Sequence, residues 1–228
     1  MWRMPRLLVD IHQVYERFNR PFRTRRMQRV QEAFRLRSDS SILDVGGTRE
    51  IWSLLADPPR VVFLNMRPPH EHADGMLDIV GDACRLPFKD YAFDVVFSNS
   101  LIEHLYSIER QHQFADECRR VGRRYFVQSP NRRFPIEPHL LTPFIHWFPR
   151  RLQSRLLRNF TVWGWVARPN LQQCERFVEE VRMVTANELQ AMFPDGHIWR
   201  EKVVGLTKSV MAVGVTISEA TPRETSSP

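Results

Sequence analysis

The sequence has little cysteine and no long apolar run, and these absences limit the classes of protein that it can encode. Its three cysteines, Cys84, Cys118 and Cys174, lie far apart in a chain of 228 residues. An odd, scattered set argues against a disulfide framework, and no Cys-x-x-Cys or Cys/His spacing indicates a metal site. No apolar run approaches the roughly 20 residues of a membrane-spanning helix, and the patch at residues 7–9 is too short for a signal peptide. We therefore expect a cytoplasmic protein that holds no metal.

Lysine is also scarce, because arginine supplies all but three of the 33 basic residues. The formal net charge is +7. Such a charge is compatible with nucleic acid, an anionic membrane or an acidic substrate, and it does not choose among them. Hydrophobic residues make up 43% of the chain, which is enough for a core. The length suits one α/β domain with additions.

Short apolar runs alternate with helix-like segments along most of the chain. Residues 5–36 have helical periodicity, and Pro21 is predicted to divide them into two helices. Apolar runs follow at residues 42–45, 61–64, 77–80, 93–97 and 125–127. Two more runs near the C-terminus leave no room for a helix between them. The pattern predicts an α/β, Rossmann-like, doubly wound sheet of about seven strands, mostly parallel with an antiparallel C-terminal strand.

The alternation also suggests domain boundaries. We expect N-terminal helices over residues 1–40, the main domain over 41–216 and a disordered tail over 217–228. Residues 130–170 are rich in proline, aromatics and arginine and interrupt the alternation. Within them, residues 140–160 have apolar residues at helical spacing, broken at Pro149. Because open α/β sheets bind ligands beyond the carboxyl ends of their strands, a helical insertion here is placed to cap a ligand site.

The first apolar run ends in a glycine turn, "SILDVGGTREIW". The turn lacks the Gly-Lys-Ser/Thr of a phosphate-binding loop. It also lacks the Gly-x-Gly-x-x-Gly of a dinucleotide fold. Glycines at Gly46 and Gly47 would allow close approach of the backbone to a ligand. A helix that starts after them could receive an anionic group.

Two motifs together resemble the class I S-adenosylmethionine-dependent methyltransferases, specifically the type 11 group. "DVGGT" matches the start of the family's acidic-x-Gly-x-Gly-x-Gly motif and is similar to a variant of bacterial members. "GDACRLPFKDYAFDVVFSNSLIEHL" resembles the family's second block over its whole length, at the family's distance from the first. The sequence departs from the family where Arg49 and Glu50 replace later glycines, and where Asn65 stands in place of an acid.

The resemblance implies S-adenosylmethionine as cofactor and assigns residues to it. Asn65 would bind the ribose hydroxyls, and Asp82 with Ala83 would contact the adenine. Read singly, Asp44 could instead cap a helix and Asp82 could be an ordinary turn residue. The nine residues assigned to the cofactor are Asp44, Gly46, Gly47, Thr48, Asn65, Asp82, Ala83, Ser98 and Asn99.

Candidate catalytic and substrate residues come from two separate segments. Glu103 and His104 follow the fourth strand, where a histidine could serve as general base; alternatively, His104 could pack against the cofactor. Glu137 and His139 lie in the predicted cap and could line the acceptor pocket. The alternative is a proline-rigid lid whose histidines satisfy local hydrogen bonds.

The resemblance implies methyl transfer to a small or medium-sized metabolite, with oxygen favoured over nitrogen and carbon as acceptor. The segment after the fourth strand lacks the two prolines of amino-directed nucleobase methyltransferases, which argues against nucleic acid. Two alternatives stay open: an RNA or protein methyltransferase, and a non-catalytic S-adenosylmethionine-binding protein. The arginines and apolar residues of the cap also suit a lipid-linked acceptor and weak peripheral membrane contact. The sequence does not indicate an oligomeric state.

Overall fold

A long helix, α1 (Arg6–Phe34), is the first element of the computed structural model. The structure describes residues 6–68 and 77–215, so the predicted tail over 217–228 lies outside the described residues. The helix continues through Pro21, and the prediction of two helices there is wrong. Proline removes a donor and costs about 3 kcal/mol in a helix interior. Tertiary contacts on both sides oppose this cost, because Asn19 accepts a hydrogen bond from Lys208 and Met27, Val30 and Phe34 are buried.

The central sheet has seven strands in the order β3-β2-β1-β4-β5-β9-β8. The first five of these pair in parallel, and β9 is antiparallel to both β5 and β8. The predicted fold class is therefore confirmed. The strands are β1 (Ser41–Val45), β2 (Arg60–Asn65), β3 (Leu77–Val80), β4 (Phe93–Asn99), β5 (Gly122–Pro130), β8 (His197–Val203) and β9 (Leu206–Val215), with β6 (Ile136–Glu137) and β7 (Thr142–Pro143) forming a separate hairpin.

Helices cover both faces of the sheet because the buried strands are apolar on both sides. One face packs α1 and α2 against Ile42, Phe63 and Phe97. The other face packs α3 and α7 against Leu43, Val96 and Val127. The helices after α1 are α2 (Arg49–Trp52), α3 (Ile108–Val121), α4 (Arg150–Phe160), α5 (Val162–Ala167), α6 (Leu171–Glu180) and α7 (Ala186–Met192), and two 3-10 helices span Ile102–His104 and Ile145–Trp147.

The segment after β5 forms a cap with an apolar cluster of its own, made of Leu140, Ile145, Leu157, Cys174 and Val178. This cluster includes α6, so the cap continues beyond the predicted limit at residue 170. α-Helical structure in the cap starts only at α4. The helical spacing predicted over residues 140–148 is replaced by β7 and a 3-10 helix, since prolines at 138, 143 and 149 interrupt the segment.

The order of the strands places the carboxyl ends of β1, β2, β3 and β4 along one edge. In register, Val45 lies beside Leu64 and Asn65 lies beside Val80. The loops that follow these strands carry most of the residues that the sequence assigned to a ligand site. Within the described part of the chain, no helix is both long and apolar enough to cross a membrane.

Candidate cofactor and acceptor site

Hydrogen bonds join the loops at the carboxyl edge of the sheet. The amide of Gly46 donates to the carbonyl of Leu64 at 2.9 Å, and the amide of Gly81 donates to the carbonyl of Asn65 at 3.0 Å. The side-chain amide of Asn65 donates to the carbonyl of Gly47 at 3.2 Å. The turns after β1 and β3 are thereby fixed relative to the end of β2, and together they form a backbone-lined edge.

Asp44 is fully buried at the end of β1. Its Oδ2 accepts a hydrogen bond from the indole of Trp52 at 2.7 Å, so it does not cap α2. Its Oδ1 has no hydrogen-bond partner among the described residues. Burial raises the pKa of Asp44 to about 7, and the bond from Trp52 opposes this rise. The carboxyl of Asp44 is therefore a buried acid that lies next to the glycine turn after β1.

The turn requires glycine at its two positions for different structural reasons. Gly46 has φ +79°, and a Cβ there would lie 2.8 Å from the side chain of Leu101. At Gly47 a Cβ would lie 2.0 Å from Oδ2 of Asp44. Any larger residue at either position disturbs the turn itself. A substitution here therefore tests the fold of the turn as well as its approach to a ligand.

The helix that follows the turn is short. Thr48 is its N-cap residue and makes no side-chain capping bond, and α2 comprises only four residues. The macrodipole of a single turn is small. The N-terminus of α2 is therefore a weaker site for an anionic group than the sequence predicted.

Asp82 and Ala83 form a tight turn after β3. Oδ1 of Asp82 accepts bonds from the amide of Cys84 at 2.9 Å and from Arg110 at 2.8 Å. The bond from the Cys84 amide, with the nearby Arg110 charge, lowers the pKa of Asp82. The side chain is 42% exposed, so the carboxylate is charged and accessible. Ala83 and Leu86 are buried, and the partly buried Phe88 packs against the same core below the turn.

Ser98 and Asn99 end β4 and already have partners within the protein. The hydroxyl of Ser98 donates to the carbonyl of Val45 at 2.9 Å, and the residue is fully buried. Oδ1 of Asn99 accepts a bond from Arg26 at 2.6 Å, and Arg26 also pairs with Glu201 at 2.9 Å. Arg26 was not among the predicted site residues. No local pattern could identify it, since its partners lie on β4 and β8.

The structure brings the candidate catalytic and substrate residues together. Glu103 and His104 lie in the 3-10 helix after β4, and Glu137 and His139 lie at the end of β6 and in the turn that follows it. The rings of His104 and His139 meet edge to face with centroids 5.1 Å apart. Nδ1 of His139 is 2.7 Å from Oε1 of Glu137. The cap is thus in direct contact with the loop after β4.

The charges in this cluster follow from burial. Burial raises the pKa of Glu103 to about 7, against the opposing influence of His139. Burial, with the charge of His139, lowers the pKa of His104 to about 4. Burial also disfavours the charged form of His139, but the bond and charge of Glu137, together with Glu103, outweigh it and raise the pKa of His139. His104 is therefore a neutral imidazole at neutral pH.

A cavity of about 370 Å³ opens beside this cluster, within the cap. Glu137 belongs to both the cluster and the cavity, because it lines the cavity and its Oε1 lies within hydrogen-bond distance of His139. His146 also lines the cavity, and its Nε2 lies 3.0 Å from the carbonyl oxygen of Arg132. The other lining residues include Arg132, Leu140, Trp147, Arg150, Phe177 and Arg182.

Residues 53–125 match the family model of the type 11 methyltransferase domain. The matched part is about a third of the chain and contains the block over residues 81–105, whereas the glycine turn over residues 44–48 precedes it. The "DVGGT" variant therefore stays a prediction. A comparison with curated proteins gave no significant match.

Solved structures with the same fold cover most of the chain. A Burkholderia thailandensis 1,6-didemethyltoxoflavin-N1-methyltransferase, with bound 1,6-didemethyltoxoflavin and S-adenosylhomocysteine, is 13% identical, with coverage of 92% of this chain and 87% of that chain and a TM-score of 0.51. The PH0226 protein of Pyrococcus horikoshii is 17% identical, with coverage of 90% of each chain and a TM-score of 0.50. At these identities the likeness is one of fold.

A third structure is the complex between the Haloferax volcanii Trm112 methyltransferase activator and the putative methyltransferase. It is 14% identical, with coverage of 85% of this chain and 90% of that chain and a TM-score of 0.50. The family match and the fold together support a class I methyltransferase, and the cofactor of that family is S-adenosylmethionine.

Proposed function

We propose that the protein is an S-adenosylmethionine-dependent methyltransferase that acts on a small or medium-sized metabolite at an oxygen atom. The observation that carries this proposal is the contact between the cap and the loop after β4. Glu137 and His139 of the cap meet Glu103 and His104, and the cavity of about 370 Å³ opens beside them. That volume lies within the range of small-molecule sites.

The carboxyl edge of the sheet fits the cofactor. Gly46 and Gly47 carry no side chain that would keep a ligand from the turn, and Oδ1 of Asp44 is buried without a partner in the described part of the chain. Asn65 would bind the ribose hydroxyls, and the exposed carboxylate of Asp82 would accept the adenine amine. The other residues assigned to the cofactor at this edge are Thr48, Ala83, Ser98 and Asn99. Ser98 and Asn99 would support the shape of the edge through their hydrogen bonds with Val45 and Arg26.

The bound cofactor would supply an electrophilic methyl group on sulfur. The protein's own residues then orient the acceptor, exclude water and hold the proton that an acceptor hydroxyl must lose. The neutral imidazole of His104, which is only partly buried, would contact the acceptor. Glu103 is fully buried beside it and would support its position. Glu137 holds the ring of His139 in position from the other side.

The acceptor class can be tested with methyl-labelled S-adenosylmethionine. A cell extract would be separated into small molecules, lipids, RNA and protein, and each fraction would be incubated with the purified enzyme. We expect label in the small-molecule or lipid fraction. His139→Ala should reduce incorporation by about tenfold or more, and His112→Ala, at an exposed position on α3, should not. Label in the RNA or protein fraction would support the alternative acceptor classes instead.

A non-catalytic binding protein is the second candidate function, because the turn after β1 lacks the family's later glycines. The discriminating observation is turnover. A protein that binds S-adenosylhomocysteine tightly, but transfers no label to any of the four fractions, would fit this candidate better than an enzyme.

A further inference from the structure

Three potential metal ligands converge where the cap meets the loop after β4. Glu103, His104 and His139 each offer one ligand atom, and these atoms all lie within 4.8 Å of one another. They come from two segments, the 3-10 helix after β4 and the turn between β6 and β7. Within the described part of the chain, this is the one group of three such side chains that could hold an ion.

The environment of Glu103 gives independent support for a bound cation. The residue is 0% exposed, and neither carboxylate oxygen has a hydrogen-bond partner among the described residues. A buried carboxylate without a partner is costly, and buried charges in proteins are normally paired or bind metals. A cation between Glu103 and the imidazoles would give this buried carboxylate a partner.

Glu137 orients His139 in the way that a second carboxylate orients a metal-binding histidine. Its Oε1 lies 2.7 Å from Nδ1 of His139, and its Oε2 accepts a bond from the amide of Leu140 at 2.5 Å. Glu137 is itself buried. Because Nδ1 is engaged, Nε2 is the ring atom left for a ligand, and such a carboxylate fixes the tautomer and raises the basicity of the imidazole.

We propose that Glu103, His104 and His139 form a site for a divalent transition metal, with zinc as the best match. Two imidazoles and one carboxylate suit Zn²⁺ better than Mg²⁺ or Ca²⁺, which prefer oxygen ligands. Zinc–nitrogen distances are about 2.0–2.1 Å, so His104 and His139 must close slightly on the ion. Both side chains are only partly buried.

Three protein ligands leave one coordination position open, which is the arrangement of catalytic zinc sites. The open position would bind the hydroxyl of the acceptor and lower its pKa. This role of the metal rests on the proposed methyl transfer, whereas metal binding itself does not. The two claims can therefore fail separately.

The test uses tag-free protein, freed of metal by a chelator and then titrated with Zn²⁺ and Co²⁺. Calorimetry should show one tight equivalent of Zn²⁺, and Co²⁺ should give the visible absorption of a low-symmetry site with nitrogen and oxygen ligands. His139→Ala and Glu103→Gln should weaken binding by at least about tenfold, and Glu137→Gln by about tenfold to a hundredfold. The control His112→Ala should bind as wild type does. Thermal melts of each variant would show that it is folded.

S-adenosylhomocysteine binding, measured on the same samples, separates the two claims. A wild-type protein that binds S-adenosylhomocysteine but neither metal would overturn the metal site alone. Variants of Glu103 and His139 that are folded and bind Zn²⁺ as tightly as His112→Ala would overturn it as well. Zinc binding without S-adenosylhomocysteine binding would support the site and contradict the proposed function.

Discussion

Asp44 explains much of the local structure of the turn after β1. Its carboxyl lies directly beneath Gly47, where a Cβ would come within 2.0 Å of Oδ2, and its other contact is the indole of Trp52. The sequence predicted that Asp44 and the glycines belong to one turn. The sequence could not show that the carboxyl of Asp44 leaves no room for a side chain at position 47, because that contact depends on the path of the backbone.

Gly46 and Gly205 form a matched pair for a test of the turn. Both have φ +79°, but a Cβ at Gly46 meets Leu101 whereas none of the described atoms lies within 4 Å of a Cβ at Gly205. Gly205→Ala should cost roughly 1 kcal/mol for the left-handed backbone. Gly46→Ala should cost about 1–3 kcal/mol more because it adds a steric overlap. Urea denaturation measures both, and equal losses would show that Leu101 moves freely.

Asp44 also gives the stability of the protein a dependence on pH. Its pKa rises from 3.8 to about 7 on folding, so the folded state binds the proton more tightly than the unfolded state. Its ionisation therefore lowers the free energy of unfolding as the pH increases from about 4 to 7, and the loss is complete above pH 7. Asp44→Asn cannot ionise and should gain stability relative to wild type across this interval.

Each unit of pKa corresponds to about 1.4 kcal/mol, so this relative gain can reach several kcal/mol. Urea denaturation of both proteins at pH 4, 5, 6, 7 and 8 measures it. The same experiment on Asp90→Asn serves as control, because Asp90 is 65% exposed in a turn. A difference between Asp44→Asn and wild type that stays constant from pH 4 to 8 would contradict the raised pKa.

At the scale of elements, local patterns predicted the strands and misjudged the helices. The five apolar runs predicted between residues 42 and 127 each lie within a strand of the sheet. They could be predicted because short apolar runs and the turn residues between them are local signals in the sequence. The course of α1 through Pro21 depends on contacts with β8 and β9, such as Lys208 with Asn19 and Arg29 over the ring of Trp199. Such contacts join distant parts of the chain, and the sequence does not show them.

The surface of the cap carries side chains of the kinds that the predicted contact with membranes requires. Trp147, Phe148 and Leu152 are exposed, and so is Phe160 at the end of α4. Arg151 and Arg155 are exposed on the same helix. Exposed apolar and arginine side chains within one segment are the kinds that an anionic membrane interface favours.

We expect weak sedimentation of the protein with anionic vesicles at low salt and release at high salt. Each arginine near such a surface contributes about 1 kcal/mol, so Arg151→Glu with Arg155→Glu should weaken binding by at least about tenfold. The control pair, Arg123→Glu with Arg200→Glu, makes the same change of charge at exposed positions on β5 and β8. Equal effects of the two pairs would mean that net charge, and not the cap, determines binding.

At the scale of the whole molecule, topology assembles the candidate site. Motifs within short stretches predicted which residues follow the strands at the carboxyl edge of the sheet, because such residues lie close together in the chain. The meeting of Glu103 and His104 with Glu137 and His139 was not predictable, since the two segments lie on opposite sides of β5 in the chain. For the same reason, the expectation that the protein holds no metal rested on local spacing alone.

The most direct test of the central claim is calorimetric titration with S-adenosylhomocysteine. We expect wild type to bind it and to bind neither NAD nor ATP. Asp82→Ala should weaken binding by about tenfold to a hundredfold, as the loss of a charged hydrogen bond implies. Asp90→Ala, which also removes an arginine-paired aspartate from an exposed turn, should leave binding unchanged. A folded wild-type protein that fails to bind S-adenosylhomocysteine, or that binds NAD or ATP in its place, would contradict the account.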